Sequence, residues 1–264
     1  MKQAAILFII FFLTGCGQSA GEPAISESAS QPIDQPTAIE QVKEVVRETA
    51  TTATERVKET VVVLQEDNQS TDVPATFDHA DMAFARQAPF GDWENPFYQD
   101  GCEEASLVIV KKFFDGQPLD EAIMKTELDA VESWELARFG YNLSVDTEEV
   151  AIMAREYYQL DVEISDEVTV ERIKRELVAG NLIILPLLGR EINNPNFTAP
   201  GPLYHMLVVR GYARDQFITN DPGTRLGKGY KYPYDVLINA TRDWNGGDIS
   251  NGERLMLIVK KPKT

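Results

Sequence analysis

Few side chains in this 264-residue chain can act as nucleophile or base near neutral pH: two cysteines, Cys16 and Cys102, and two histidines, His79 and His205. Cys102 lies in "FYQDGCEEASLVIVKKFF" (97–114), directly after Gly101 and at the head of an apolar-periodic run through Ala105, Val108, Ile109 and Phe113. A thiol attacks as its thiolate, and ionisation needs local positive potential. The unpaired N–H groups and dipole of a helix start supply some of it. His205 opens "HMLVVRGY" (205–212), which is otherwise almost wholly apolar, and an ionisable ring at the end of such a strand can face a cleft. The next run, "QFITND", leads into "NDP", so Asn220 or Asp221 would lie beside His205 once the two strands pair through the "ARD" turn. Either could hold the imidazole in one tautomer, giving a candidate nucleophile, base and orienting group. Each residue also has a plainer reading, as packed thiol, satisfied core histidine and turn. His79 falls in a polar stretch and is expected to be solvated.

The elements that must position these residues follow from pattern. A loop with Pro89, Gly91, Trp93 and Pro96 leads into a helix from Cys102 to Phe114, closed by Gly116 and Pro118. A short helix is expected over 119–127. "DTEEVAIMAREYY" carries Asp146 and Glu149 at capping-box spacing. "TVERIKRELVAG" (169–180) is framed by Thr169 and Gly180 as a further helix. "NLIILPLL", "HMLVVRGY", "QFITND" and "RLMLIVKK" have strand composition. Helices first and strands later indicate an α+β domain rather than alternating βαβ units. Glu103 and Glu104, in the first turn after the thiol, are expected to point outward and favour the helix N-terminus.

The amino terminus has Lys2, an apolar stretch from Ala4 to Leu13, and "LTGC" ending at Cys16. That pattern reads as an export signal, and the apolar stretch is well short of the roughly 20 residues of a membrane span. "LTGC" resembles the bacterial lipobox, which implies a signal peptide over 1–16, lipid on Cys16, and anchoring at the extracytoplasmic face of a bacterial membrane. An ordinary signal peptide containing a cysteine is the plainer reading. Residues 17–82 read as a low-complexity linker whose 17–36 part is a flexible tether. Within it, 37–65 has helical spacing at Ile39, Val42, Val46, Ala53, Val57 and Leu64, fitting a solitary stalk helix or a short self-associating coil. Residues 66–80 return to polar linker, and the globular domain is expected over 83–264. With Cys16 acylated, Cys102 has no disulfide partner. The net charge of −17 argues against nucleic-acid binding. One free cysteine and two histidines make a Cys/His zinc site improbable, and with neither a phosphate-cradling nor a calcium loop motif no cofactor is implied.

Taken in order, "RQAPFGDWENPFYQDGCEEAS", "IKRELVAGNLIILPLL", "YHMLVVRGY" and "FITNDPGT" resemble the peptidase C39-like family of papain-like cysteine peptidases, over about residues 84–260. The resemblance implies N-terminal helices packed on an antiparallel sheet, Cys102 as nucleophile, His205 as general base and acid, and Asp221 orienting the imidazole. It also implies an oxyanion hole from the Cys102 N–H and a glutamine amide. Gln87 matches the family's early glutamine, and Gln99, nearer the thiol in sequence, is the alternative. The implied substrate is a peptide or protein, cut at a peptide or isopeptide bond, with amide transfer or deamidation open to the same machinery. The chain departs from the many relatives that have Cys-Gly-Pro where it has Cys102-Glu103-Glu104. The best-known members are fused to an ABC transporter and cut double-glycine leaders, so a substrate does not carry over. Two other readings stand beside this one: a catalytically silent module that binds peptides or cell-wall fragments, and a stalked structural lipoprotein.

Overall fold

A computed structural model describes residues 73–263. The signal segment with Cys16, the tether and the stalk over 37–65 lie outside the described residues. The strands are β1 (Thr76–Asp78), β2 (Val162–Ser165), β3 (Leu182–Leu188), β4 (Tyr204–Ala213), β5 (Gln216–Asn220), β6 (Lys228–Pro233) and β7 (Met256–Val259). The helices are α1 (Pro96–Asp100), α2 (Cys102–Phe114), α3 (Glu121–Arg138), α4 (Thr147–Glu156), α5 (Val170–Val178) and α6 (Tyr234–Ala240).

The near-continuous apolar run of β4 explains its place. A strand buried on both faces cannot alternate polar and apolar residues, and β4 is buried from Tyr204 to Tyr212. It lies in the interior of an antiparallel seven-stranded sheet ordered β2-β7-β3-β4-β5-β6. One edge of β4 pairs with β3 through Ile183↔Val209 to Leu188↔Tyr204, and further along with β1 through Phe77↔Tyr212. Its other edge pairs with β5, with Val208 opposite Asn220. The close approach of β1 needs a residue without a side chain, because a Cβ on Gly211 would stand 2.5 Å from the Phe77 carbonyl oxygen. The domain is α+β, as the order of patterns indicates.

Helix α2 packs across β4, with α1, α3 and α4 also against it. Every residue from Cys102 to Val110 is consequently buried. Burying Leu107, Val108, Ile109 and Val110 contributes on the order of 1.5–3 kcal/mol for each large aliphatic side chain, which fixes the helix and its first residue. The local signals hold where local chemistry decides. Asp146 and Glu149 form a reciprocal capping box on α4, and the Thr169 side chain accepts the Arg172 N–H at the start of α5.

Four expectations are corrected. The helix expected over 119–127 continues to Arg138, since no glycine or proline interrupts it and Met124, Leu128, Val131 and Glu135 form one buried stripe. The stretch expected to be linker contains β1, so the domain begins before residue 83, and His79 is not solvated. Its ring packs edge-on to Phe77 at 4.9 Å and against Phe113 at 5.0 Å, and burial holds its pKa down. Glu103 and Glu104 face inward, because α2 is enclosed on all sides from Cys102 to Val110 and only its last turn reaches solvent.

Candidate active site

Cys102 is the first residue of α2, and its sulfur is directed at β4, where Sγ accepts the Met206 backbone N–H at 3.2 Å. Met206 directly follows His205, so the packing of α2 on β4 brings the thiol to the residue beside the histidine. Cys102, His205 and Gln87 line one cleft of about 800 Å³. Behind the ring, His205 Nε2 lies 2.8 Å from Asp221 Oδ1, which commits that nitrogen and leaves Nδ1 for proton transfer.

Asp221 follows the last residue of β5 and is fully buried. Its Oδ1 also accepts the Gly223 N–H at 3.0 Å. Oδ2 accepts Asn194 Nδ2 at 3.1 Å and the Tyr232 hydroxyl at 2.5 Å. Burial would raise the Asp221 pKa, but the facing His205 ring and the bonds from His205, Tyr232 and the Gly223 N–H outweigh it, and the net shift is downward. Asn194 is itself held, its Oδ1 accepting the Asn196 N–H at 2.9 Å. Sequence reasoning missed both Asn194 and Tyr232. The other residue left open, Asn220, does structural work instead: Nδ2 donates to the Ala83 carbonyl at 3.3 Å and Oδ1 accepts the Gly229 N–H at 3.2 Å.

The Asp221 backbone is fixed by an unusually close contact. Its N–H donates to the Gly227 carbonyl at 3.1 Å, and a Cβ on Gly227 would stand only 1.8 Å from the Asp221 carbonyl oxygen. Gly227→Ala should therefore force the two segments apart and cost upwards of about 3 kcal/mol, the upper range for overpacking. Thermal unfolding checks this, and an unchanged Tm would refute it.

Gln87 and Gln99 both line the cleft but are held differently. Gln87 is buried, its N–H bonded to the Pro222 carbonyl next to Asp221. Its Nε2 donates to the carbonyls of Tyr98 at 3.1 Å and Gln99 at 3.0 Å, and its Oε1 is buried without a partner among the described residues. Both amide hydrogens thus secure the loop that precedes the thiol, and donation to an oxyanion requires releasing one of them. Gln99 is exposed and donates to the Trp93 carbonyl at 2.6 Å.

The electrostatics around the sulfur differ from the expectation of a thiol activated by its helix N-terminus. The thiol donates to Glu103 Oε2 at 2.9 Å. Burial first, then the Glu103 carboxyl, push the Cys102 pKa well above the ordinary thiol range, while the Met206 N–H pulls the other way. Among the described residues no cluster of His, Cys, Asp and Glu could hold a metal ion.

A thiol thus opens a buried helix beside a strand-borne histidine that is backed by a buried carboxylate, all within one α+β domain. The chain belongs to the Peptidase_C39 like family, whose model matches residues 79–246. It is similar to a crystal structure of a Bacillus anthracis protein assigned as a C39-like peptidase, with 14% identity, 72% of this chain and 100% of that chain covered, and a TM-score of 0.48. No curated protein matches the chain.

Proposed function

We propose that this chain is a thiol peptidase that hydrolyses peptide or isopeptide bonds through Cys102, His205 and Asp221. The observation that carries the reading is the cleft where the Cys102 sulfur meets the backbone beside His205, with Asp221 bonded to the far side of the ring. In this reading His205 Nδ1 takes the thiol proton, the sulfur attacks the carbonyl carbon, and the imidazolium returns the proton to the leaving amine. Water then hydrolyses the acyl-enzyme. The Cys102 N–H and the Gln87 amide would face the developing oxyanion. Three exposed apolar side chains, Trp93, Leu203 and Leu226, line the same cleft and supply contact surface for substrate side chains. Amide transfer or deamidation remains open to the same groups. The "LTGC" motif supports anchoring through lipid on Cys16 at the extracytoplasmic face of a bacterial membrane.

One observation favours a second reading, a silent module that binds peptides or cell-wall fragments in the cleft. The thiol proton is directed at Glu103 rather than at His205. Profiling of peptide libraries with the wild type and Cys102→Ala separates the two. Peptidase activity predicts cleavage that Cys102→Ala abolishes. Binding without cleavage in the wild type, retained by Cys102→Ala, would establish the silent module instead.

A further inference from the structure

Glu103 occupies an uncommon position for a carboxyl group. Neighbours on a helix do not ordinarily face a common point, yet its Oε2 turns back to lie 2.9 Å from the sulfur of Cys102. The side chain is 1% exposed, and its other oxygen, Oε1, has no partner among the described residues. The titratable groups that face it are Asp100 from α1, Cys102 and Glu104 from α2, Glu135 from α3 and Tyr204 from β4. None of these is a cation. A carboxylate buried without a cation keeps a proton instead.

We propose that Glu103 is a catalytic residue, a neutral acid whose O–H holds the Cys102 thiolate. This rests on the reading of Cys102 as nucleophile. In the resting site the thiol donates to Glu103 Oε2; when His205 Nδ1 takes the thiol proton, the Glu103 carboxyl turns its own O–H to the sulfur, which then accepts it on one side and the Met206 N–H on the other. The S–C bond then forms, the C–N bond breaks, and the imidazolium proton goes to the leaving amine, while Glu103 keeps its own proton throughout. If Glu103 ionises, the same step sets two negative charges side by side and is suppressed. Burial raises the Glu103 pKa, as do the nearby Glu104 and Asp100 carboxylates, so the neutral form extends well above the usual carboxylate range. Thiol reactivity should then decline as pH rises through the Glu103 titration, against the ordinary rise seen with an isolated thiol.

The test is iodoacetamide labelling of Cys102 in the full chain from about pH 5 to 9, for wild type, Glu103→Gln and His205→Ala. The glutamine amide can donate to sulfur and cannot ionise. Glu103→Gln should label at least about tenfold faster than wild type at the alkaline end, one pKa unit of thiol acidity, and should lack the decline. Coincident wild-type and Glu103→Gln profiles would overturn the proposal. Slowed labelling in His205→Ala alongside that coincidence leaves the peptidase reading standing, whereas His205→Ala labelling like wild type counts against that reading instead. If Glu103→Gln does not fold, infrared difference spectra of wild type before and after alkylation serve. A shift of a protonated-carboxyl band supports the proposal, and an unshifted band overturns it.

Discussion

Asp221→Asn should slow peptide hydrolysis by about 10³- to 10⁴-fold while leaving Cys102 in place, because the substitution removes the acceptor that fixes the His205 tautomer. Every group around the Asp221 carboxyl oxygens donates to them: His205 Nε2 and the Gly223 N–H to Oδ1, Asn194 Nδ2 and the Tyr232 hydroxyl to Oδ2. An asparagine cannot satisfy that arrangement in either orientation. With its NH₂ toward the ring, it meets the Gly223 N–H and forces His205 Nε2 to accept. The ring proton then sits on Nδ1, the nitrogen needed to take the thiol proton. With its NH₂ turned away, it meets Asn194 Nδ2, whose amide cannot turn freely because its own oxygen holds Asn196. The imidazolium also loses its buried counter-charge in both cases. The measurement is kcat/KM on a cleaved peptide, with circular dichroism to verify the fold. Activity within tenfold of wild type would mean that Asp221 only fastens the loop.

The candidate triad was legible because its residue types are scarce and its positions locally signalled. One cysteine at a helix start, one histidine on an apolar strand and an "NDP" at the next strand end leave few alternatives. Capping residues were legible for the same reason, since Asp146, Glu149 and Thr169 act within one helical turn. Asn194 and Tyr232 were not, because they come from the segment after β3 and from β6 and meet only when the sheet closes around Asp221. The inward turn of Glu103 and Glu104 was hidden in the same way. A helix start is exposed by default, and only the packing of α1, α3 and α4 over α2 removes its solvated face. Glu135 carried a faint signal, the single charged residue in the stripe Met124, Leu128, Val131, Glu135. Such a break in a buried stripe indicates a polar partner without naming it.

That partner is Glu104, and the pair makes stability depend on pH in a sense opposite to Asp221. Glu135 is fully buried, and neither of its oxygens has a donor among the described residues other than the Glu104 carboxyl, which can bond to it only when one of the two is protonated. Burial, the Glu104 charge and that shared bond push the Glu135 pKa up to about 11, and burial raises Glu104 to about 7. A carboxyl whose folded pKa is raised contributes stability fully below its unfolded value of about 4.3, and the contribution is lost as pH rises toward the folded value. Asp221, with its lowered pKa, contributes above about 3.9 and loses that contribution as pH falls. The domain should therefore be most stable in mildly acidic solution and weaken toward pH 8. Glu135→Gln keeps a donor for the Glu104 carboxylate but has no proton to lose on unfolding. It should raise stability by about 2–4 kcal/mol near pH 8, roughly 5–10 °C in Tm, and by under about 1 kcal/mol near pH 5. Thermal unfolding of both proteins at the two pH values measures it. An equal shift at both would mean that the gain comes from packing rather than from the proton. A loss at pH 8 would mean that the carboxyl pair is held by contacts stronger than the desolvation that opposes it.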